Sequence, residues 1–239
     1  MTAPAPAPAH VPTGAARHAI YFAPEPDHPL WAAGCDWLGR PRDGIGAGAP
    51  ARAGVATPWR YGFHATLKAP MRLAPGLDEA GLRAALQGLA RQHRAFALPA
   101  LAVDRLGGFL ALRPVLPLAP DHPLRRLADD AVQALDAWRM PLSPAEAQRQ
   151  LRAAHSPRQQ AQVGRWGYAH VLDDWRFHLT LSDDLADSDS VLLDRLLQQA
   201  RQHFAQALCQ PLRCRSLCLF TEPAAGAPFE CRARVALTP

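Results

Sequence analysis

Lysine is nearly missing from this chain of 239 residues: of 26 basic residues, only Lys68 is not arginine. A lone ammonium among arginines marks a place where a compact point charge is wanted, or is simply what a compositional bias leaves behind. Cysteine is scarce and unpaired in pattern. Cys35, Cys209, Cys214, Cys218 and Cys231 are odd in number and contain no Cys-x-x-Cys. That excludes a disulfide framework and a zinc knuckle, and it leads us to expect a reducing, cytoplasmic setting. No apolar run approaches the roughly 20 residues of a membrane span, so no membrane partner is expected. Gly-x-Ser-x-Gly is absent, which disfavours a serine hydrolase. Gly-x-x-x-x-Gly-Lys-Ser/Thr is absent too, so ATP-driven phosphoryl transfer has no support. Aromatic residues are only 7% of the chain, and no basic cluster is denser than Arg125-Arg126. A nucleic-acid partner is therefore not favoured, although the net charge of +5 suits an anionic ligand.

What the chain does have, it has twice. Phe63-His64-Ala65-Thr66-Leu67 returns as Phe177-His178-Leu179-Thr180-Leu181. With ten histidines and seven threonines, chance would supply His-x-Thr about 0.3 times. In extended backbone, neighbouring side chains point to opposite faces. Phe63, Ala65 and Leu67 then face a core while His64, Thr66 and Lys68 look the other way. The second copy sorts likewise, with His178, Thr180 and Ser182 on the polar face. Strands are expected over Arg60–Lys68 and Trp175–Ser182.

The remaining elements follow from pattern. Met1–Ala16 alternates Ala and Pro without a basic or apolar signal region and reads as a disordered tail. Arg17–Ala23 has strand composition, Leu30–Leu38 is a short helix, and 39–58 is a Gly/Ala/Pro-rich loop. An amphipathic helix over Leu77–Arg94 precedes two extended runs, Leu98–Leu106 and Phe109–Val115, joined at Gly107-Gly108. A helical insert occupies about 121–165. In it Ser143-Pro144-Ala145-Glu146 forms a capping box, and Ser156-Pro157 opens a further helix. A second amphipathic helix spans Ser190–Leu208, followed by extended runs at Pro211–Phe220 and Phe229–Leu237. The whole reads as strand, helix, two strands; insert; then strand, helix, two strands. We expect an α+β fold, a single bilobal domain over 17–239 in which two duplicated units with antiparallel sheets face each other across a cleft.

Two imidazoles at one site suit general acid–base catalysis, because histidine titrates near neutrality. One accepts a proton from the nucleophile while the other gives one to the leaving oxygen. Thr66 and Thr180 can donate hydrogen bonds to non-bridging oxygens, and Lys68, with Arg60 or Arg176, can offset developing charge. A small-molecule phosphoester fits all three provisions without a cofactor or a metal. Tyr61 and Tyr168 are expected to help bind it.

With these residues in view, the chain resembles the two-histidine (2H) phosphoesterase superfamily, which includes RNA 2′,3′-cyclic phosphodiesterases. The longer phrases Tyr21-Phe22-Ala23-Pro24, Trp37-Leu38-Gly39-Arg40, Pro141-Leu142-Ser143 and Arg165-Trp166-Gly167-Tyr168 are similar to one branch, encoded beside phosphonate-degradation operons. The resemblance implies a bilobal α+β fold, His64 and His178 as the acid–base pair, and Thr66 and Thr180 as phosphate-binding hydroxyls. It also implies a cyclic or phosphorylated ribose as substrate. Ser182 stands where Lys68 stands in the first copy, so the two halves are not electrostatically equivalent. Two other readings compete. A zinc enzyme would need further ligands, for which His170, Asp173 and Asp174 are at hand. A non-catalytic nucleotide- or RNA-binding module would use the same cleft, with tyrosines stacking on bases.

Overall fold

Two antiparallel sheets carry the two motifs, and neither sheet is built from a single sequence half. In the computed structural model, which describes residues 16–44 and 48–239, strands β1 (Arg17–Phe22), β2 (Ala65–Met71), β8 (Ser216–Glu222) and β9 (Glu230–Ala236) form one sheet in the order β2-β1-β8-β9. The expected tail lies outside the described residues, Ala16 apart. A second sheet has the order β4-β5-β6, from Leu101–Leu106, Phe109–Pro114 and Leu179–Thr180. A short pair joins β3 (Phe96–Ala97) to β7 (Arg213–Cys214). The expected duplicated units are thus exchanged. The β4–β5 hairpin after the first motif pairs through β5 with the second motif's strand, and the β8–β9 pair after the second motif joins the first motif's sheet through β8.

The helices follow the same exchange. Helix α3 (Glu79–Ala90) packs on β8 and β9, and α7 (Ser190–Leu208) packs on β4 and β5 and against α1 (Pro29–Leu38). Each buries the leucine stripe its periodicity announces, Leu82, Leu86 and Leu89 in α3 and Leu193 and Leu196 in α7. One continuous apolar core runs through both sheets and these helices. The insert supplies α4 (Pro123–Ala134), α5 (Pro144–Arg152) and α6 (Pro157–Trp166). Ser143 and Glu146 complete the capping box at the start of α5, and Ser156 caps α6. Unlike α4, α5 buries no residue. A small separate cluster of Ala154, Val163 and Ala169 holds the α5–α6 pair together.

Element boundaries near the motifs differ from the sequence expectation. The loop over 39–58 ends in a short helix, α2 (Ala56–Tyr61), so Arg60 and Tyr61 are helical. The chain then turns at Gly62, whose φ of 79° lies where L side chains are strained. Paired strand begins only at Ala65 and Leu179, which leaves both histidines one residue ahead of their strands. The inside–outside alternation survives all the same: Phe63, Ala65, Leu67, Phe177, Leu179 and Leu181 are all buried. Lys68 and Ser182 are buried as well, against the expectation of a shared polar face. Ser182 Oγ accepts from Leu110 N at 2.9 Å and donates to Asp183 O at 2.8 Å, so it serves the backbone.

The packing beneath the first motif is tight enough to test. A Cβ on Gly34, in α1, would lie 2.1 Å from the ring of Phe63, which is itself buried and stacked on Phe204. Glycine to alanine in a helix interior normally stabilises by roughly 1 kcal/mol, but overpacking an unyielding core costs about 1–3 kcal/mol. Gly34→Ala is therefore expected to lower the melting temperature by several degrees, measured by calorimetry. A rise would show that Phe63 can move aside.

Candidate active site

Four long-range hydrogen bonds bring the motifs together. The indole of Trp175, just before the second motif, donates to Thr66 O at 2.8 Å. Trp37 donates to Leu181 O at 2.8 Å. The carboxylate of Asp183, just after the second motif, accepts from Ala56 N at 3.0 Å and Thr57 N at 2.6 Å, which fixes the helix that leads into His64. Between the motifs lies a cavity of about 320 Å³ lined by His64, Thr66, His178 and Thr180. Tyr21, Tyr61 and Tyr168, all the tyrosines of the chain, line it too.

The histidines are held in the same way. His64 Nδ1 is 2.9 Å from Gly62 O, and His178 Nδ1 is 2.8 Å from Arg176 O. A carbonyl can only accept, so each Nδ1 carries the proton and each Nε2 is left to exchange one. His64 Nε2 stands 3.3 Å from Thr66 Oγ1. The surroundings of the two rings are not equal. Tyr21 stacks on His64 with ring centroids 3.6 Å apart and planes 21° from parallel. Loss of hydration is the main cause that takes His64 from 6.5 down to about 4, with His178 adding to the fall and the Gly62 hydrogen bond opposing it. His178 is also lowered, again mainly by burial, with the Arg176 hydrogen bond opposing. Its ring meets Phe109 at a centroid distance of 5.8 Å and has no stacked tyrosine.

The other expected residues divide. Tyr61 lies in the cavity wall, stacked on Phe229, and Tyr168 lies opposite on the chain leaving α6. Lys68 also lines the cavity, but Nζ donates to Val132 O at 2.9 Å and to Asp136 Oδ1 at 3.3 Å. Burial brings it from 10.5 down to about 8, against the pull of Asp136. Arg60 and Arg176 do not line the cavity. Arg60 turns to Glu222, and Arg176 is exposed, contributing only its carbonyl to His178. Of the alternative metal ligands, Asp174 is held by Arg158 at 2.8 Å. Among the described residues no group of three His, Cys, Asp or Glu is placed to hold a metal ion.

As a site residue, Tyr21 enters the sequence reading only as a base-stacking side chain of the binding-module alternative, and Arg17 is not singled out there. Tyr21 is paired with Thr66 across β1 and β2, and Arg17 is anchored by the buried Glu222. The rarity of tyrosine is the one sequence signal that points to the first; nothing local points to the second.

A family model described as "Protein of unknown function (DUF1045)" matches residues 66–230. Two curated relatives carry the name ribose 1,5-bisphosphate phosphokinase PhnN. The one from Laribacter hongkongensis (strain HLHK9) is 40% identical over 226 residues, covering 90% of this chain and 51% of its own length. The one from Janthinobacterium sp. (strain Marseille) is 36% identical over 224 residues, covering 89% and 49%. The chain thus spans about half the length of the curated relatives it matches. Among solved structures, E. coli LigT complexed with 3′-AMP aligns over 93% of this chain and 98% of its own, with a TM-score of 0.43 and 16% identity.

Proposed function

The chain belongs to the DUF1045 family, and we propose that this member is a phosphoesterase that opens a cyclic phosphodiester of a ribose-type small molecule by two-histidine acid–base catalysis. The observation that carries the reading is the pair of imidazoles, each with Nδ1–H tied to the carbonyl two residues back and each facing the same cavity beside a threonine hydroxyl. Such a pair can move one proton in each direction at once.

His64, kept neutral by its burial beneath Tyr21, takes a proton from water at Nε2 as the water oxygen bonds to phosphorus. His178, protonated beside the bound anion, gives its Nε2 proton to the oxygen whose bond to phosphorus breaks. Cyclic diester and water become one monoester, and one proton passes from His178 to His64 overall before solvent resets them. Thr66 and Thr180 donate to the non-bridging oxygens. Two of the three Nζ–H groups of Lys68 donate hydrogen bonds inward, and the third can serve the cavity.

The relatives' name concerns a kinase that uses ribose bisphosphate. This chain has no phosphate-binding loop of the kind that serves such chemistry, so we assign that activity to the half of the relatives that it does not match. A ribose phosphate as substrate is consistent with that name. The test is turnover of 2′,3′-cyclic nucleotides and of phosphorylated ribose diesters with EDTA present. Turnover that survives EDTA supports the reading. Loss with EDTA and recovery with zinc or manganese would replace it with a metalloenzyme, and micromolar binding without any turnover would make the cleft a binding module.

A further inference from the structure

The cavity wall holds five cations, Arg17, Lys68, Arg72, Arg139 and Arg149, and a single carboxylate, Glu146. Four of the five are already engaged. Arg17 shares Glu222 with Arg60, Lys68 shares Asp136 with Arg139, and Arg72 is paired with Glu146, its Nη1 donating to Oε1 at 2.7 Å. Counting Arg60, six cations stand against three carboxylates. Arg149 alone of the lining cations has no hydrogen bond or ion pair among the described residues. The wall is thus net positive around a cavity whose proposed reaction involves a phosphodiester, which carries one negative charge.

Helix α5 is oriented to present this arginine. Glu146 closes the capping box with Ser143 and grips Arg72, which follows β2, so the first turn of α5 is locked to the strand that carries Thr66. Arg149 and Gln150 follow Glu146 by three and four positions and lie on the same helical face, and all three line the cavity. The volume of about 320 Å³ is at the small end for ligand pockets, which suits a compact molecule and not a nucleic-acid strand.

We propose that Arg149 binds a second anionic group of the substrate, a phosphate monoester separate from the scissile diester. This rests on the phosphoesterase reading above and narrows its substrate class. A phosphate monoester brings about two further negative charges near pH 7, which a net positive wall with one unpaired arginine suits. Arg149 is a binding residue here and takes no part in the proton transfers.

The experiment compares 2′,3′-cyclic AMP with its 5′-phosphorylated form on wild type, Arg149→Gln and Arg149→Lys. Wild type is expected to favour the 5′-phosphorylated compound by about tenfold to a hundredfold in kcat/KM, as a charge-assisted contact supports. Arg149→Gln should erase most of that ratio and Arg149→Lys should keep part of it. A wild type that does not discriminate, or an Arg149→Gln ratio equal to wild type, overturns the proposal; a purely structural role for Arg149 would lower both substrates together and leave the ratio alone. If neither compound is turned over, the reaction has been misread, and calorimetric binding of the same pair decides the anion site on the same ratios, with no binding of either counting against it.

Discussion

His64→Ala and His178→Ala are each expected to reduce kcat at least 100-fold on any phosphodiester that the wild type cleaves, with KM changing much less. The size follows from what general acid–base catalysis contributes, typically 10²- to 10⁴-fold per group. The two losses should not add in the double variant, because a proton taken and a proton given belong to one transition state. Thr66→Val and Thr180→Val keep the shape and remove a donor, and each should cost less than a histidine does. Folding has to be separated from chemistry at His64, whose ring stacks on the buried Tyr21. His64→Gln keeps a polar group in that place, and near-ultraviolet circular dichroism reports whether the tyrosine packing survives. If either histidine variant keeps more than a tenth of wild-type kcat while folded, the paired mechanism is wrong.

Acid should weaken this fold before its carboxylates are titrated. His64 is held at about 4 in the folded protein, below its ordinary 6.5, and burial also lowers His18, His93, His122, His170 and His178. The unfolded chain therefore binds protons between about pH 6.5 and 4 that the folded chain refuses, and stability falls as pH falls through that window. His64 alone contributes up to about 3 kcal/mol of this loss, at 1.36 kcal/mol per pKa unit. The carboxylate of Glu146, held by Arg72 at about 2, behaves with the same sign at lower pH, its contribution being lost as pH falls through that value. Urea midpoints should accordingly drop steeply from pH 7 to pH 5. Proton NMR should place His64 well below 5.5, and Tyr21→Leu, which lets water reach the ring, should raise it toward 6.5. A wild-type His64 titrating near 6.5 would sink this account. The same values set the rate profile: kcat/KM should peak on the acid side of neutrality, since His178 in the free enzyme also lies below its ordinary value.

Much of this protein is written locally. Alternation about His64 and His178, the leucine stripes of α3 and α7, the Gly107-Gly108 hairpin and the caps at Ser143 and Ser156 depend on residues within a few positions of one another. Periodicity and capping are properties of one segment and its immediate backbone, so sequence alone determines them. It also determined that two imidazole–hydroxyl pairs exist. Only the tertiary structure decided which strands keep company, because strand pairing joins segments far apart in sequence and no local pattern names the partner. It decided as well that Arg60 turns to Glu222, 162 residues away, and that Lys68 reaches Asp136, 68 residues away. A buried cation must find its carboxylate wherever the fold brings one, and no spacing rule announces the partner. Tyr21 over His64 and Arg149 left unpaired in the same wall are consequences of that same long-range sorting.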